Sequence, residues 1–493
     1  MNNLRYYRKI IFFILLFILP FNTRHIFNYE VIKEIECFRE NLTFFLCPFD
    51  IGILLILTTL IWEKWVKIKS KLFASTNLYI SSVILILVLI IASIFSDNQS
   101  VAIYNTIRTV EAIVFFFIAK KILSQNKRIF LQSVYIVFIA GVIQSVIALF
   151  QFIFQKSIGL FIIGESHIAP HILGVAKIEH EGEKFIRGYG TCPHPNILGV
   201  FLLTALVCGI FLLMSGKGQP LLNREWKSNV LLFIKKRISF LKWDASLMRI
   251  FHIILGTLLI TSGIIITFSR LAWFGTGIVI IFAIAKGVIV NRHRLPTLNR
   301  AFFKRNNSKE KISVSREQKL LFRDTVFLGS LYVIILLVFL SPLIADRLCI
   351  RDCGYGNDSY QIRKEYTETA INVIRNNPIL GVGPGNFVIE MEDYAVKHLQ
   401  EWERQPVHSL YFLVASEIGI IGLIILVYFI IFNIKRIPFK RLFGILFLTF
   451  LFLGIFDHFF ASTFQGQLLF WGCLAFFTAS CNIENKDLEF DNF

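Results

Sequence analysis

Apolar runs of about twenty residues recur along this chain and constrain its fold more than any other feature. A helix rising 1.5 Å per residue needs about 20 mainly apolar residues to cross a hydrocarbon layer ~30 Å thick. Runs near that length lie at about 10–28, 49–65, 78–96, 102–121, 129–156, 195–214, 249–268, 271–290, 325–345, 408–433, 442–459 and 464–481. They predict an all-α polytopic membrane protein with about 12 transmembrane helices, built as a single domain over residues 1–493. The composition agrees: 55% of the 493 residues are hydrophobic, 52 of them Phe, and the mean hydropathy is +0.64. An ordinary soluble globular domain is excluded. The first run follows Arg5, Arg8 and Lys9, but no small-x-small cleavage pattern follows it. It therefore reads as an uncleaved first helix.

The formal charge of +18 is a matter of topology. Lys and Arg gather in alternate loops: 64–71, 120–128, 235–237, 292–319 and 435–441. Twelve helices would put these loops on one side together with both termini, and the positive-inside rule makes that side cytoplasmic. The expectation is a cytoplasmic (inner) membrane protein in contact with membrane lipids, with no nucleic acid partner. The opposite side receives three longer polar loops, about 29–48, 157–194 and 346–407. Cys37, Cys47, Cys349 and Cys353 fall there. An oxidising exterior permits disulfides within either loop, and free thiols remain open. There is no CxxC, HExxH or P-loop, and no internal repeat.

The 346–407 loop, between the ninth and tenth predicted helices, is long enough to hold structure. Residues 361–374 carry an amphipathic helical pattern that Asn377-Pro378 stops, GVGPGNF (381–387) reads as a glycine-dependent turn, and 388–402 suits a second short helix. Ionisable and polar groups cluster near the predicted outer ends of several helices: Arg187, His194 and Asn196 in RGYGTCPHPN, Arg270 between the seventh and eighth, Arg363 on the loop helix, His408 at the start of the tenth, and Asp457, His458 and Gln465 around the eleventh and twelfth. Singly, an arginine at a helix end is a snorkelling anchor and a histidine a satisfied structural residue. Together they form a site hypothesis, because polar groups at a membrane are costly. Guanidinium groups suit a pyrophosphate, and a neutral imidazole can accept a hydroxyl proton. Glu417 lies nine residues beyond His408, about 13 Å along a helix and on its far side. It reads as an interhelical polar contact.

The segments FSRLAW (268–273), NPILGVGPGNF (377–387) and VHSLYFLVASEIGIIG (407–422), with RGYGTCPHPNILG (187–199) and FDHFFASTFQGQLLFW (456–471), occur in an order that resembles the bacterial O-antigen ligase and polymerase superfamily of membrane glycosyltransferases. The resemblance covers about 185–475. It implies a GT-C-like, inverting enzyme of the ligase type that uses neither metal nor other cofactor. Such an enzyme moves a glycan from undecaprenyl pyrophosphate to an acceptor outside the cytoplasmic membrane: lipid A-core, another glycan or a protein. It implies His408, Arg270 and Arg363 as catalytic residues, and Arg187, His194, Asn196, Asp457, His458 and Gln465 as substrate-binding candidates. Where the family often has Asn after the histidine, this chain has Ser409. Polymerase and protein O-oligosaccharyltransferase are the alternatives within the superfamily.

Two other classes stand beside it. A secondary transporter would show related halves with broken helices at mid-membrane, whereas here the polar groups gather at one surface. A metal-dependent oligosaccharyltransferase would draw on acidic residues such as Glu30, Glu34, Glu36, Glu40, Asp50, Glu390, Glu392 and Asp393, but these read as solvated loop charge.

Overall fold

Helix accounts for nearly all of the regular structure. The computed structural model describes residues 2–27, 42–66, 76–214, 245–285, 329–348, 356–398, 403–434 and 441–490. The helices are α1 (Asn2–Ile18), α2 (Pro48–Val66), α3 (Thr76–Ile94), α4 (Gln99–Leu123), α5 (Lys127–Phe154), α6 (Pro195–Met214) and α7 (Ala245–Ile266). They continue with α8 (Arg270–Ala285) and α9 (Gly329–Phe339), then α10 (Ser341–Leu348), α11 (Gly356–Asn376), α12 (Phe387–Tyr394), α13 (Leu410–Ile434), α14 (Leu442–Leu453), α15 (Phe459–Ser462) and α16 (Phe464–Phe490). Two small antiparallel hairpins lie in the loops, β1 (His25–Ile26) with β2 (Phe45–Leu46) and β3 (Lys177–His180) with β4 (Glu183–Ile186).

Each of the twelve apolar runs carries helix, but among the described residues four helices qualify as membrane spans by length and composition: α4, α5, α6 and α13. A fifth results if α9 and α10, bent by 64°, form one broken span. The run expected over 442–459 is helical only to Leu453, because the chain turns at Gly454 to present residues 455–458 between helices. The loop helix expected at 361–374 is α11, and the second short helix ends at Tyr394. The CIRDC segment, Cys37 and the basic stretch 292–319 lie outside the described residues.

The core is a bundle closed by small residues. Helices α5, α6 and α7 pack on one another, and α4 packs along α16. A Cβ added at Gly141 of α5 would lie 2.2 Å from Cβ of Ala205 on α6, and one at Gly263 of α7 would lie 2.5 Å from the Ser145 hydroxyl. Glycine at these crossings lets backbones approach, which is the route to helix association where lipid offers no hydrophobic drive. The charge of Arg108 inside this apolar surround is paired. Arg108 on α4 donates to Asp50 (2.7 Å), Glu111 (2.8 Å) and the Tyr104 hydroxyl (2.9 Å), and its guanidinium covers the rings of Phe45 (4.4 Å) and Phe464 (4.9 Å). An unpaired charge there would cost several kcal/mol.

At one end of the bundle the glycine-rich segment 377–387 docks on a break in α13. Ile418 (φ −124°, ψ 15°) and Gly419 (φ 72°, ψ 175°) leave helical geometry, so carbonyls of the preceding turn lose their helical partners. The loop replaces them: Val382 N–H donates to Ser416 O (2.9 Å) and Gly383 N–H to Glu417 O (2.8 Å), while Ile420 N–H donates to Pro378 O (2.9 Å). The Glu417 carboxylate accepts from the backbone N–H groups of Gly385 and Phe387, at the start of α12. Glu417 is thus a contact between α13 and the loop; His408 precedes the first residue of α13, so the two are not set by one helix.

A Cβ at Gly419 would lie 2.0 Å from the Ile379 carbonyl oxygen, at a φ that L-residues avoid. Gly419→Val should therefore destabilise the protein by about 3 kcal/mol or more, read as a lower thermal midpoint of the detergent-solubilised protein together with new proteolytic cleavage near 377–387. An unchanged midpoint and digest would show that the docking is not tight.

Candidate functional site

Four chain segments converge beside the docked loop. The first is the Arg187–Asn196 approach to α6. Arg187 is 4% exposed; its Nε donates to the Thr267 carbonyl (2.6 Å) and its Nη2 to Asn196 Oδ1 (2.8 Å). Asn196 passes the link on, donating to Asp457 Oδ2 at 3.0 Å. The Asn196 backbone N–H donates to His194 Nδ1 (3.1 Å), which fixes that ring at the foot of α6.

The second segment is the turn between α7 and α8. Phe268 sits there at φ 45°, fully buried against Phe152 and Trp273. A bulky residue at positive φ is strained. Two arginines grip the turn by its carbonyls, Arg187 at Thr267 and Arg347 at Phe268 (2.9 Å). Arg270, the first residue of α8, stands exposed beyond it.

The third and fourth segments meet directly. Leu410 N–H, at the start of α13, donates to the carbonyls of Gly454 (2.7 Å) and Asp457 (3.1 Å), so His408 is carried against the connection after α14. The His408 and His458 rings lie 5.3 Å apart, and the ring of Tyr366 on α11 lies 6.2 Å from that of His408. His458 Nδ1 bonds the Ser462 hydroxyl (2.6 Å), and Asp457 Oδ1 accepts from the His458 backbone N–H (2.8 Å). His408 Nδ1 is buried and has no hydrogen-bond partner among the described residues.

The charges act on one another. Burial lowers the pKa of His408 to about 4, helped by His458 and Arg363 and opposed by Asp457. His194 is pushed down to about 3 by burial and then by Arg187, and His458 is lowered by burial against the pull of Asp457. Arg187 falls to about 9 through burial, then Arg347 beside it. Arg363 is solvent-exposed, yet the protein mass around it lowers its pKa, with Asp457 opposing and Arg270 adding; the exposure makes this a small effect. Asp457 is held below its usual value by His458, His408 and His194, which outweigh its burial.

His408, Asp457 and His458 offer donor atoms within 4.8 Å of one another, a spacing a cation could use. The positive charges of Arg187 and Arg363 argue for an anion instead, and both Asp457 oxygens already accept hydrogen bonds. The arrangement is suited to hold an anionic group over neutral imidazoles.

Eight of the nine residues expected from the sequence take part in these contacts or mutual charge effects. Gln465 faces elsewhere: its Nε2 donates to Asn22 (2.9 Å) and it lines a separate pocket with Phe17, Arg24 and Phe45. Arg347 and Ser462 had not been singled out. Arg347 lies at the tail of an apolar run, where an arginine signals only a helix end. Ser462 is legible only once the turn at 457–462 is known.

These features define a multi-pass membrane protein with an arginine- and histidine-rich site at the ends of its helices. Residues 255–427 match the family model described as O-antigen ligase, which supports the O-antigen ligase superfamily for this region. The match takes in Arg270, Arg363 and His408 and ends before Asp457. No curated protein matches the chain.

The His408 shift gives a sign for pH. With its folded pKa below the ordinary 6.5, its contribution to stability is fully present above about 6.5 and is lost as pH falls toward about 4. Asp457→Asn removes the charge that supports protonation, so the His408 imidazole should titrate still lower, checked by NMR of ring-labelled histidine. An upward shift would contradict this electrostatic assignment.

Proposed function

We propose that the chain is a ligase-type membrane glycosyltransferase. It moves a glycan from undecaprenyl pyrophosphate to an acceptor hydroxyl on the outer side of the cytoplasmic membrane. The observation that carries this reading is a cluster of charges: Arg187 and Arg363 both act on Asp457, Arg363 also acts on His408, and Arg270 acts on both of those arginines, in a chain whose central region matches the O-antigen ligase family.

In the proposed reaction, Arg270 and Arg363 hold the pyrophosphate. Arg187, occupied with Thr267 and Asn196, braces the site and adds its field. The acceptor oxygen attacks the anomeric carbon from the face opposite the pyrophosphate. The anomeric carbon–oxygen bond breaks, its electron pair leaves on the pyrophosphate oxygen, and the acceptor proton passes to His408. The new glycosidic bond has inverted configuration. Charge growing on the leaving oxygen is met by guanidinium groups already in place. Asp457 favours the imidazolium that forms.

A base with a pKa near 4 is weak, yet the donor brings two negative charges beside it. Opposite charge favours the protonated form, so the bound donor strengthens the base. The acceptor class follows from product length: a ligase adds one block per acceptor, a polymerase extends a chain, and a protein O-oligosaccharyltransferase modifies a polypeptide.

With purified protein, lipid-linked glycan and acceptor, His408→Ala should lower kcat by about 10²–10⁴-fold and Arg270→Ala by about 10²–10³-fold. The acidic limb of the kcat profile should lie at higher pH than that of kcat/KM, since the first reports the donor complex and the second the free enzyme. Full transfer by His408→Ala would remove that residue as base.

A further inference from the structure

The turn that presents Arg270 is strained and clamped. Phe268 has φ 45° in the turn that ends α7, where its N–H donates to Ile265 O (3.0 Å); a left-handed residue is common at a helix end, but glycine takes it without the cost a phenylalanine bears. Thr267 and Ser269 satisfy local groups: Thr267 N–H donates to Gly263 O (3.1 Å), and Ser269 O accepts from Trp273 N–H (3.0 Å) as α8 begins. The Phe268 carbonyl points out of this local set and is taken by Arg347 Nε at 2.9 Å.

Arg347 comes from α10, seventy-nine positions away, and α10 is itself anchored. Asp346, its neighbour, pairs with His180 on β3, and α10 packs along that strand. The β3–β4 hairpin in turn leads straight into Arg187, whose backbone N–H donates to Ala176 O (3.3 Å) and whose side chain takes the adjacent carbonyl of the same turn. Two arginines thus hold two successive carbonyls, each backed by the same hairpin.

We propose that Arg347 is a positioning residue: by holding the Phe268 carbonyl it fixes the left-handed turn from which Arg270 projects, and so pre-orients Arg270 for the pyrophosphate. This rests on the proposed function, in which Arg270 binds that group. Arg347 acts through Arg270, and its hydrogen bond matters more than its charge. Losing such a bond frees the strained turn to relax, and Arg270 must then be re-ordered at each binding event.

The test is the affinity of the full-length, detergent-solubilised protein for undecaprenyl pyrophosphate, measured by microscale thermophoresis. Arg347→Ala should weaken binding about 10-fold, the effect of one lost hydrogen bond. Arg347→Gln, which keeps an N–H donor for Phe268 without the charge, should stay within about 3-fold of the parent. In an Arg270→Ala background, Arg347→Ala should add less than about 2-fold, since residues that act as a unit are not additive. Should the alanine variant not yield monodisperse protein, Arg347→Met keeps the side-chain volume without a donor and takes its place.

Equal weakening by Gln and Ala would assign Arg347 a direct charge role and overturn the proposal. So would additive losses with Arg270→Ala, or parental binding by Arg347→Ala. Failure of the parent protein itself to bind would sink the proposed function, and this inference with it.

Discussion

Asp457 is the charge around which the site is arranged. Its two oxygens reach in different directions, to Asn196 and through it Arg187, and to the His458 backbone. Its carbonyl accepts from the start of α13, next to His408. A buried carboxylate is costly unless it is both hydrogen-bonded and matched by charge, and here each match comes from a different part of the chain. Meeting the needs of one carboxylate therefore fixes the relative positions of α6, α13 and the connection after α14. The imidazoles of His194, His408 and His458 all feel this charge, and it limits how far burial can depress them.

The second constraint is backbone satisfaction at the membrane. A broken helix leaves carbonyls and N–H groups that an apolar medium cannot accept. The break in α13 at Ile418–Gly419 is tolerated because segment 377–387 supplies the missing partners strand-fashion, while Glu417 supplies acceptors for Gly385 and Phe387. The loop cannot leave without exposing both sides. Since α11 ends just before this segment and α12 begins at its close, the docking also sets where Arg363 and Tyr366 lie with respect to His408.

Much of this was legible in the sequence, and what was not has physical causes. Apolar runs reveal helices because burial in lipid demands them, yet they do not reveal length: α14 stops at Leu453 where the run continues, because the polar Asp457-His458 pair needs a turn to reach its partners. The glycine-rich segment and His408 stood out, since unusual φ and titratable groups are rare inside such runs. The role of Glu417 in capping a loop, and the Arg108–Asp50–Glu111 cluster, depended on contacts between segments tens of residues apart. The side chain of Gln465 shares a helix end with site residues but turns to Asn22, a matter of helix rotation that hydropathy does not encode. The Phe268 turn was hidden for a related reason: the arginines that hold its carbonyls, Arg187 and Arg347, come from distant segments, and a phenylalanine gives no sign of a positive φ.

The arginines and the imidazoles pull the site in opposite directions. Burial keeps His408 neutral, and the Arg363 guanidinium adds to this in a smaller way, so the field that attracts an anion also discourages protonation while the anion is absent. Arg187, Arg270 and Arg363 stand against Asp457 with a surplus of positive charge, and that surplus costs stability that the packed helices must offset. In the proposed reaction, the two negative charges of an arriving pyrophosphate offset that surplus. The cost is relieved, and the imidazole gains affinity for a proton at the moment when an acceptor hydroxyl has one to give. On the proposed reading, proton acceptance is thereby coupled to donor occupancy through electrostatics.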